Sequence, residues 1–240
     1  MLPLVPGSIS DKVHGLDWPS IEASLDDDGY AITPALLSAT ECASLAALYD
    51  HEDSFRSRVD MARYNFGSGE YKYFDRPLPS DVEELRRAVY PCLAPVANRW
   101  AERLGGQEYP AELDHFLDVC AKHGQTKPTP LLLHYQAGDY NCLHQDLYGE
   151  IAFPIQLTVA LSRRDVDYTG GEFLLMEQRP RAQSRGQAIT LELGEAVIFA
   201  TRYRPVRGSR GFYRVNMRHG VSRLLSGERY TLGIIFHDAR

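Results

Sequence analysis

The sequence predicts an α+β fold in which N-terminal helices pack on a sandwich or jelly-roll core of short strands. Three observations predict it. Before Pro130, capping-box spacings are followed by apolar residues at helical period. After Pro130, short runs rich in β-branched and aromatic residues are separated by Gly, Pro and Asp turns. Those runs succeed one another without intervening helical patterns, which argues against a parallel sheet with crossover helices.

Taken in order, Trp18 to Asp28 reads as a short helix closed by Gly29, followed by a strand from Tyr30 to Thr33. Ser38 and Glu41 have capping-box spacing, and Cys42, Leu45, Leu48 and Tyr49 then form one apolar face. Ser80 and Glu83 repeat that spacing before Leu85, Val89, Leu93, Val96 and Trp100, with Pro91 and Pro95 expected to kink or split the element. Pro110 is expected to open a further helix that stops at His123-Gly124. The strands expected beyond Pro130 are 131–135, 153–162, 172–176, 188–191, 196–200, 213–217 and 230–237.

A chain of 240 residues suits one domain with a substantial core. We read residues 1–240 as a single domain, with 1–129 as mainly helical support and lid and 130–240 as the jelly-roll core. No apolar run reaches the roughly 18 residues that a membrane helix needs. Met1 to Ser10 has no basic n-region and no small-residue cleavage site, so a cytoplasmic location without a leader is expected. Cys42, Cys92, Cys120 and Cys142 are widely spaced, which fits reduced, packed thiols and argues against a zinc finger. The net charge of −6 is uneven: residues 163–240 hold 14 arginines, no lysine and 8 acidic residues, a net of +6, leaving −12 for the rest. Guanidinium forks suit carboxylates and phosphates. The competing reading pairs these arginines with the acidic half inside the fold.

The informative stretch is 131–146, LLLHYQAGDYNCLHQD. His144 and Asp146 are two apart, so on an extended segment both side chains share one face. An imidazole and a carboxylate together make half of a site for a divalent metal. A second histidine would complete a two-His, one-carboxylate triad that leaves positions open for substrate and oxygen. His219 lies 73 residues beyond Asp146, and Arg229 and Thr231 follow it with strand spacing. An arginine beside a hydroxyl suits the distal carboxylate of a dicarboxylic co-substrate. His14, His51, His115, His123, His134 and His237 lack partners at useful spacing and read as structural.

These motifs resemble the 2-oxoglutarate/iron(II) dioxygenase superfamily of the prolyl-hydroxylase-like type. The resemblance is carried in order by His144-Gln-Asp146, Gly170-Gly171-Glu172-Phe173, Gly194-Glu195-Ala196-Val197, His219-Gly220-Val221 and Arg229-Tyr230-Thr231. More narrowly, HYQAGDYNCLHQDLYGE, MEQRPRAQSR and YRVNMRHGVSR resemble a bacterial oxygenase family predicted to act on damaged nucleic-acid bases. The resemblance implies a double-stranded β-helix holding iron(II) on His144, Asp146 and His219, and an enzyme using 2-oxoglutarate and O2 to hydroxylate a C–H bond. It places Arg229 and Thr231 at the co-substrate, with Tyr135 of Tyr-Gln-Ala-Gly138, or Tyr140 close by, as the accompanying tyrosine.

Substrate choice is expected from two segments. Residues 63–76, RYNFGSGEYKYFDR, read as a flexible loop whose Tyr64, Phe66, Tyr71 and Tyr73 would stack on a base, grip a peptide or form a lid. Residues 202–218, RYRPVRGSRGFYRVNMR, interleave arginines, Arg214 and Arg218 among them, with aromatics in a manner that suits nucleic acid. The alkylated-base repair dioxygenases carry a second arginine six residues after the co-substrate arginine, where this chain has Ile235. A hydroxylase of protein or peptide side chains therefore stands as the alternative, with a non-catalytic iron or 2-oxoglutarate sensor and a cupin-like enzyme as further readings.

Overall fold

The computed structural model describes residues 7–240. The leader reading at Met1 to Ser10 therefore lies, as far as Pro6, outside the described residues. In chain order the elements begin with α1 (Ile9–His14), α2 (Trp18–Asp28), β1 (Tyr30–Thr33), α3 (Ala39–Ala47), β2 (Phe55–Asp60), β3 (Gly67–Ser68) and β4 (Glu70–Phe74). Then come α4 (Ser80–Leu104), α5 (Leu113–Lys122), β5 (Leu131–Gln136), β6 (Tyr140–His144), β7 (Ile155–Ala160) and β8 (Tyr168–Gly170). The chain ends with β9 (Phe173–Gln178), β10 (Arg185–Ile189), β11 (Ala196–Ala200), β12 (Tyr203–Gly208), β13 (Gly211–Val221) and β14 (Leu224–Ile234).

Local chemistry sets the helix ends. Asp17 accepts from the Ser20 amide at the start of α2, and Gly29, at φ 80°, closes it in the left-handed conformation that glycine adopts without strain. Ser38 and Glu41 form the expected reciprocal capping box on α3. The capping box expected at Ser80 and Glu83 does not form, because Pro79 takes the cap position and offers no side-chain acceptor. Pro91 and Pro95 do not split α4, which runs unbroken for 25 residues. They sit four apart on its more exposed side, while Tyr90, Leu93, Val96 and Trp100 bury the opposite side. The helix expected from Pro110 begins three residues later, at Leu113.

Two antiparallel sheets form the core. The larger is eight-stranded, in the order β1-β11-β7-β14-β5-β4-β2 with β8 also on β14. The smaller is six-stranded, β10-β9-β13-β6-β3 with β12 on β13. They pack face to face, as shown by Phe173 of β9 against Phe199 of β11 with ring centroids 4.7 Å apart. Helices cover the outer face of the larger sheet, so β11 is buried at every position and reads as a continuous apolar run. On that side Tyr90 of α4 packs on Phe153 and Phe236, at 4.9 and 5.8 Å.

Residues 63–76 are not a flexible loop. Tyr71 and Tyr73 of β4 pair with Leu133 and Leu131 of β5, and Gly67 of β3 pairs with Asn141 of β6. The segment therefore crosses from one sheet to the other, its backbone groups taken up by both.

Candidate metal centre

The β13–β6 register places His219 directly opposite His144. Gly220 makes this approach possible, since a Cβ there would stand 2.6 Å from the Asn141 carbonyl oxygen and 3.1 Å from that of Cys142. Asp146 follows just beyond the end of β6. One donor atom from each of His144, Asp146 and His219 lies within 4.8 Å of the others. His144 Nε2 is 3.5 Å from Asp146 Oδ1, and His219 Nε2 is 3.2 Å from Asp146 Oδ2. The Cys142 carbonyl accepts from His144 Nδ1 at 2.8 Å, which keeps the proton on that nitrogen and leaves Nε2 free as a ligand.

Charge and burial act against each other here. Burial pushes the Asp146 carboxyl up, but the two adjacent imidazoles outweigh it and hold the group well below the usual carboxylate range. Burial lowers His144, yet the Asp146 charge and hydrogen bond leave it above the ordinary imidazole value. Burial, aided by His144, lowers His219. One anion facing two imidazoles attracts a cation, and a divalent metal satisfies all three groups at once.

Nothing in the motifs pointed to two residues that hold Asp146. Tyr148 donates to its Oδ1 at 2.7 Å, and Gln156 Nε2 donates to its Oδ2 at 2.9 Å. The one available signal was Gln156 itself, a polar residue inside the apolar run of β7.

The centre opens into a cavity of about 170 Å³, far more than one water needs. Arg229 on β14 lies in its wall, 3% exposed, with neither Nε nor Nη1 partnered. Thr231, two residues on, shares that face, and Tyr135 stands opposite Arg229 in register. Burial pushes the Tyr135 hydroxyl up to about 12, and Asn141 Nδ2 donates to it at 3.3 Å. The Gly-Gly-Glu motif makes room for Arg229: Gly171 has φ 64°, and a Cβ there would lie 2.5 Å from Leu224 Cδ1 and 3.3 Å from Arg229 Cδ. A buried guanidinium without a counter-charge is costly unless an anion joins it, so the residues present fit a carboxylate co-substrate beside a metal.

Other expected residues divide. Phe66 and Tyr71 line the cavity. Tyr64 does not; it is 59% exposed and stacks on Phe66 from outside. Tyr73 packs behind the wall against Leu131 and Ile235. Tyr140 also lies outside, 43% exposed, because the alternation of β6 turns Asn141 inward in its place. Arg214 and Arg218 lie on the outward face of β13, away from the metal.

Comparison with known proteins places these features. The chain matches the model of the Oxygenase-NA family, described as an oxygenase catalysing oxidative methylation of damaged DNA, over residues 69–239. An uncharacterized protein of Mycobacterium tuberculosis strain H37Rv is 53% identical over 167 residues, which cover 69% of this chain and 72% of that protein. Its counterpart in strain CDC 1551 matches to the same extent. Among solved structures, a Pseudomonas putida prolyl-4-hydroxylase is similar with TM-score 0.52 and 13% identity, covering 93% of this chain and 99% of that one. A Trichoplax adhaerens prolyl hydroxylase, in complex with a hypoxia inducible factor peptide fragment, gives TM-score 0.55 and 15% identity over 92% of this chain and 89% of that one. These likenesses show the fold, the double-stranded β-helix of the prolyl-hydroxylase type. None of the described helices is long and apolar enough to cross a membrane. Family, fold and the His–Asp–His donor set agree on an iron(II)- and 2-oxoglutarate-dependent oxygenase that consumes O2. The chain belongs to the Oxygenase-NA family.

Proposed function

We propose that this oxygenase acts as one domain over residues 1–240 and oxidises a damaged base in nucleic acid, removing an N-methyl group from it. The observation that carries the reading is Arg229, a buried cation without a partner in the same cavity as His144, Asp146 and His219. Iron(II) held by those three residues would supply the activation of O2, driven by oxidation of 2-oxoglutarate to succinate and carbon dioxide. The chain's own groups do the positioning. Arg229 and Thr231 take the distal carboxylate of the co-substrate, and Tyr148 and Gln156 fix the Asp146 carboxylate. Leu131, Leu133, Leu157 and Val221 keep the cavity dry. Phe66 and Tyr71 offer aromatic faces to a planar base withdrawn from its stack. Hydroxylation of an N-methyl carbon gives a product that collapses to the free base and formaldehyde.

The family description favours nucleic acid. The prolyl-hydroxylase-like fold and the apolar Ile235 in the cavity wall favour a peptide side chain instead. Succinate and formaldehyde are measured with iron(II), 2-oxoglutarate and panels of methylated oligonucleotides and proline-containing peptides. Formaldehyde from oligonucleotides alone is the expected result. Hydroxylated peptide without it would replace base repair by the peptide reading.

A further inference from the structure

A second cavity, of about 220 Å³, lies between the C-terminal half of α4 and the start of β12. Its walls include the apolar side chains of Leu104, Phe153 and Leu147, and its rim holds Arg202, Tyr203 and Arg214. Both guanidinium groups lie over the Tyr203 ring, 4.5 Å away for Arg202 and 4.8 Å for Arg214. Neither arginine has a carboxylate within salt-bridge distance among the described residues, whereas Arg204 between them turns inward to Glu177 and the Asp26 carbonyl. Across the β12–β13 pair, Arg204 shares the inward face with its register partner Val215, while Arg214, opposite Pro205, lies on the outward face. Arg207, Arg210 and Arg218 on the same hairpin also lack carboxylate partners among the described residues, and Phe212 is exposed between them.

The two cavities share a wall. Asp146 and Tyr148 line the first, and Leu147 between them lines the second. Gln145, also in the first, donates to Asn216 Oδ1 at 2.6 Å, and Asn216 is the register partner of Tyr203. The segment 145–148 thus borders both cavities, and Leu147, exposed at the surface, stands between them.

We infer that the cavity between α4 and β12 binds the nucleotide adjacent to the damaged one, taking its base against Leu104 and Phe153 and its phosphate between Arg202 and Arg214. This rests on the nucleic-acid reading above and adds to it the form of the substrate. Paired arginine forks suit a phosphate, and an apolar slot beside an aromatic rim suits a flat base. Two neighbouring bases cannot both leave a duplex stack cheaply, so the substrate is single-stranded.

The test is fluorescence anisotropy of labelled single-stranded and duplex oligonucleotides with the full chain, loaded with iron(II) and 2-oxoglutarate without oxygen. The single strand binds more tightly than the duplex. Arg202→Ala with Arg214→Ala weakens single-strand binding about tenfold and lowers the slope of log affinity on log salt by about 0.7, one phosphate contact. Leu104→Trp, which fills the slot without changing charge, weakens binding with the slope unchanged. Arg87→Ala with Arg163→Ala removes the same charge elsewhere and leaves affinity and slope as in the parent. Single-strand affinity and slope unaltered by the Arg202 and Arg214 changes, or an equal loss in the control pair, would overturn the second site and leave the substrate reading standing. A parent protein that binds neither oligonucleotide while hydroxylating a peptide would overturn both.

Discussion

Replacing Arg229 by methionine separates a ligand-binding cation from a structural one, because the two roles predict opposite signs. The guanidinium is buried, two of its nitrogens have no partner, and its nearest compensation is from the Tyr135 and Tyr168 rings, each 5.7 Å away. Replacing a buried ion pair by apolar side chains of similar volume is neutral or stabilises by about 1–4 kcal/mol, and an unpaired guanidinium has no ion-pair attraction to lose. Losing two cation–π contacts costs about 0.5–1 kcal/mol each at the lower end of their range. The apoprotein of Arg229→Met is therefore at least as stable as the parent. Ligand response runs the other way. At a hundred times its Kd, 2-oxoglutarate stabilises the parent by about 2.7 kcal/mol. For a chain of this length that raises Tm by roughly 5–10 °C. Losing a buried guanidinium–carboxylate pair costs about 2–5 kcal/mol, enough to remove most or all of that response. Thermal melts with manganese(II) in place of iron, with and without 2-oxoglutarate, read both quantities. A variant that melts several degrees lower without ligand, yet keeps the 2-oxoglutarate shift, would refute the assignment of Arg229 to the co-substrate.

Gly220→Ala forces a Cβ to within 2.6 Å of the Asn141 carbonyl and pushes β13 away from β6, so metal affinity falls by at least about tenfold; parent-like affinity in a metal titration would contradict the register argument. His237 is lowered by burial to about 4 from an ordinary 6.5, and its Nδ1 accepts from the Phe153 amide. Between those values the unfolded chain binds the proton and the folded chain does not, so stability is full above about 6.5 and falls as pH drops towards 4. At pH 5 the loss is about 2 kcal/mol, and denaturant unfolding of His237→Asn should show a shallower dependence between pH 7 and 5 than the parent. Equal slopes would exclude His237 as the source.

Helix ends were legible because a cap is chemistry within four residues: Asp17 with Ser20, Ser38 with Glu41, and Gly29 at positive φ. The same local logic failed at Ser80, where Pro79 displaced the cap, and at Pro91 and Pro95, which lie on the more exposed side of α4 and leave it unbroken. The segment 63–76 looked like a loop because its glycines and charges hide two short strands whose partners on β5 and β6 lie 58 to 74 residues away.

For the candidate site, the sequence by itself determined the donor types and their order. Iron chemistry restricts ligands to a few residue kinds, and strand spacing puts His144 near Asp146 and Arg229 near Thr231. Only the tertiary structure decided which neighbours complete the site. Tyr135 rather than Tyr140 faces the cavity, Tyr148 and Gln156 hold the carboxylate, and Arg229 is left without a counter-charge while Arg204 receives one. Those outcomes depend on which face of each strand turns inward and on the register between β13 and β6. Both are set by packing across two sheets rather than by any one stretch of chain.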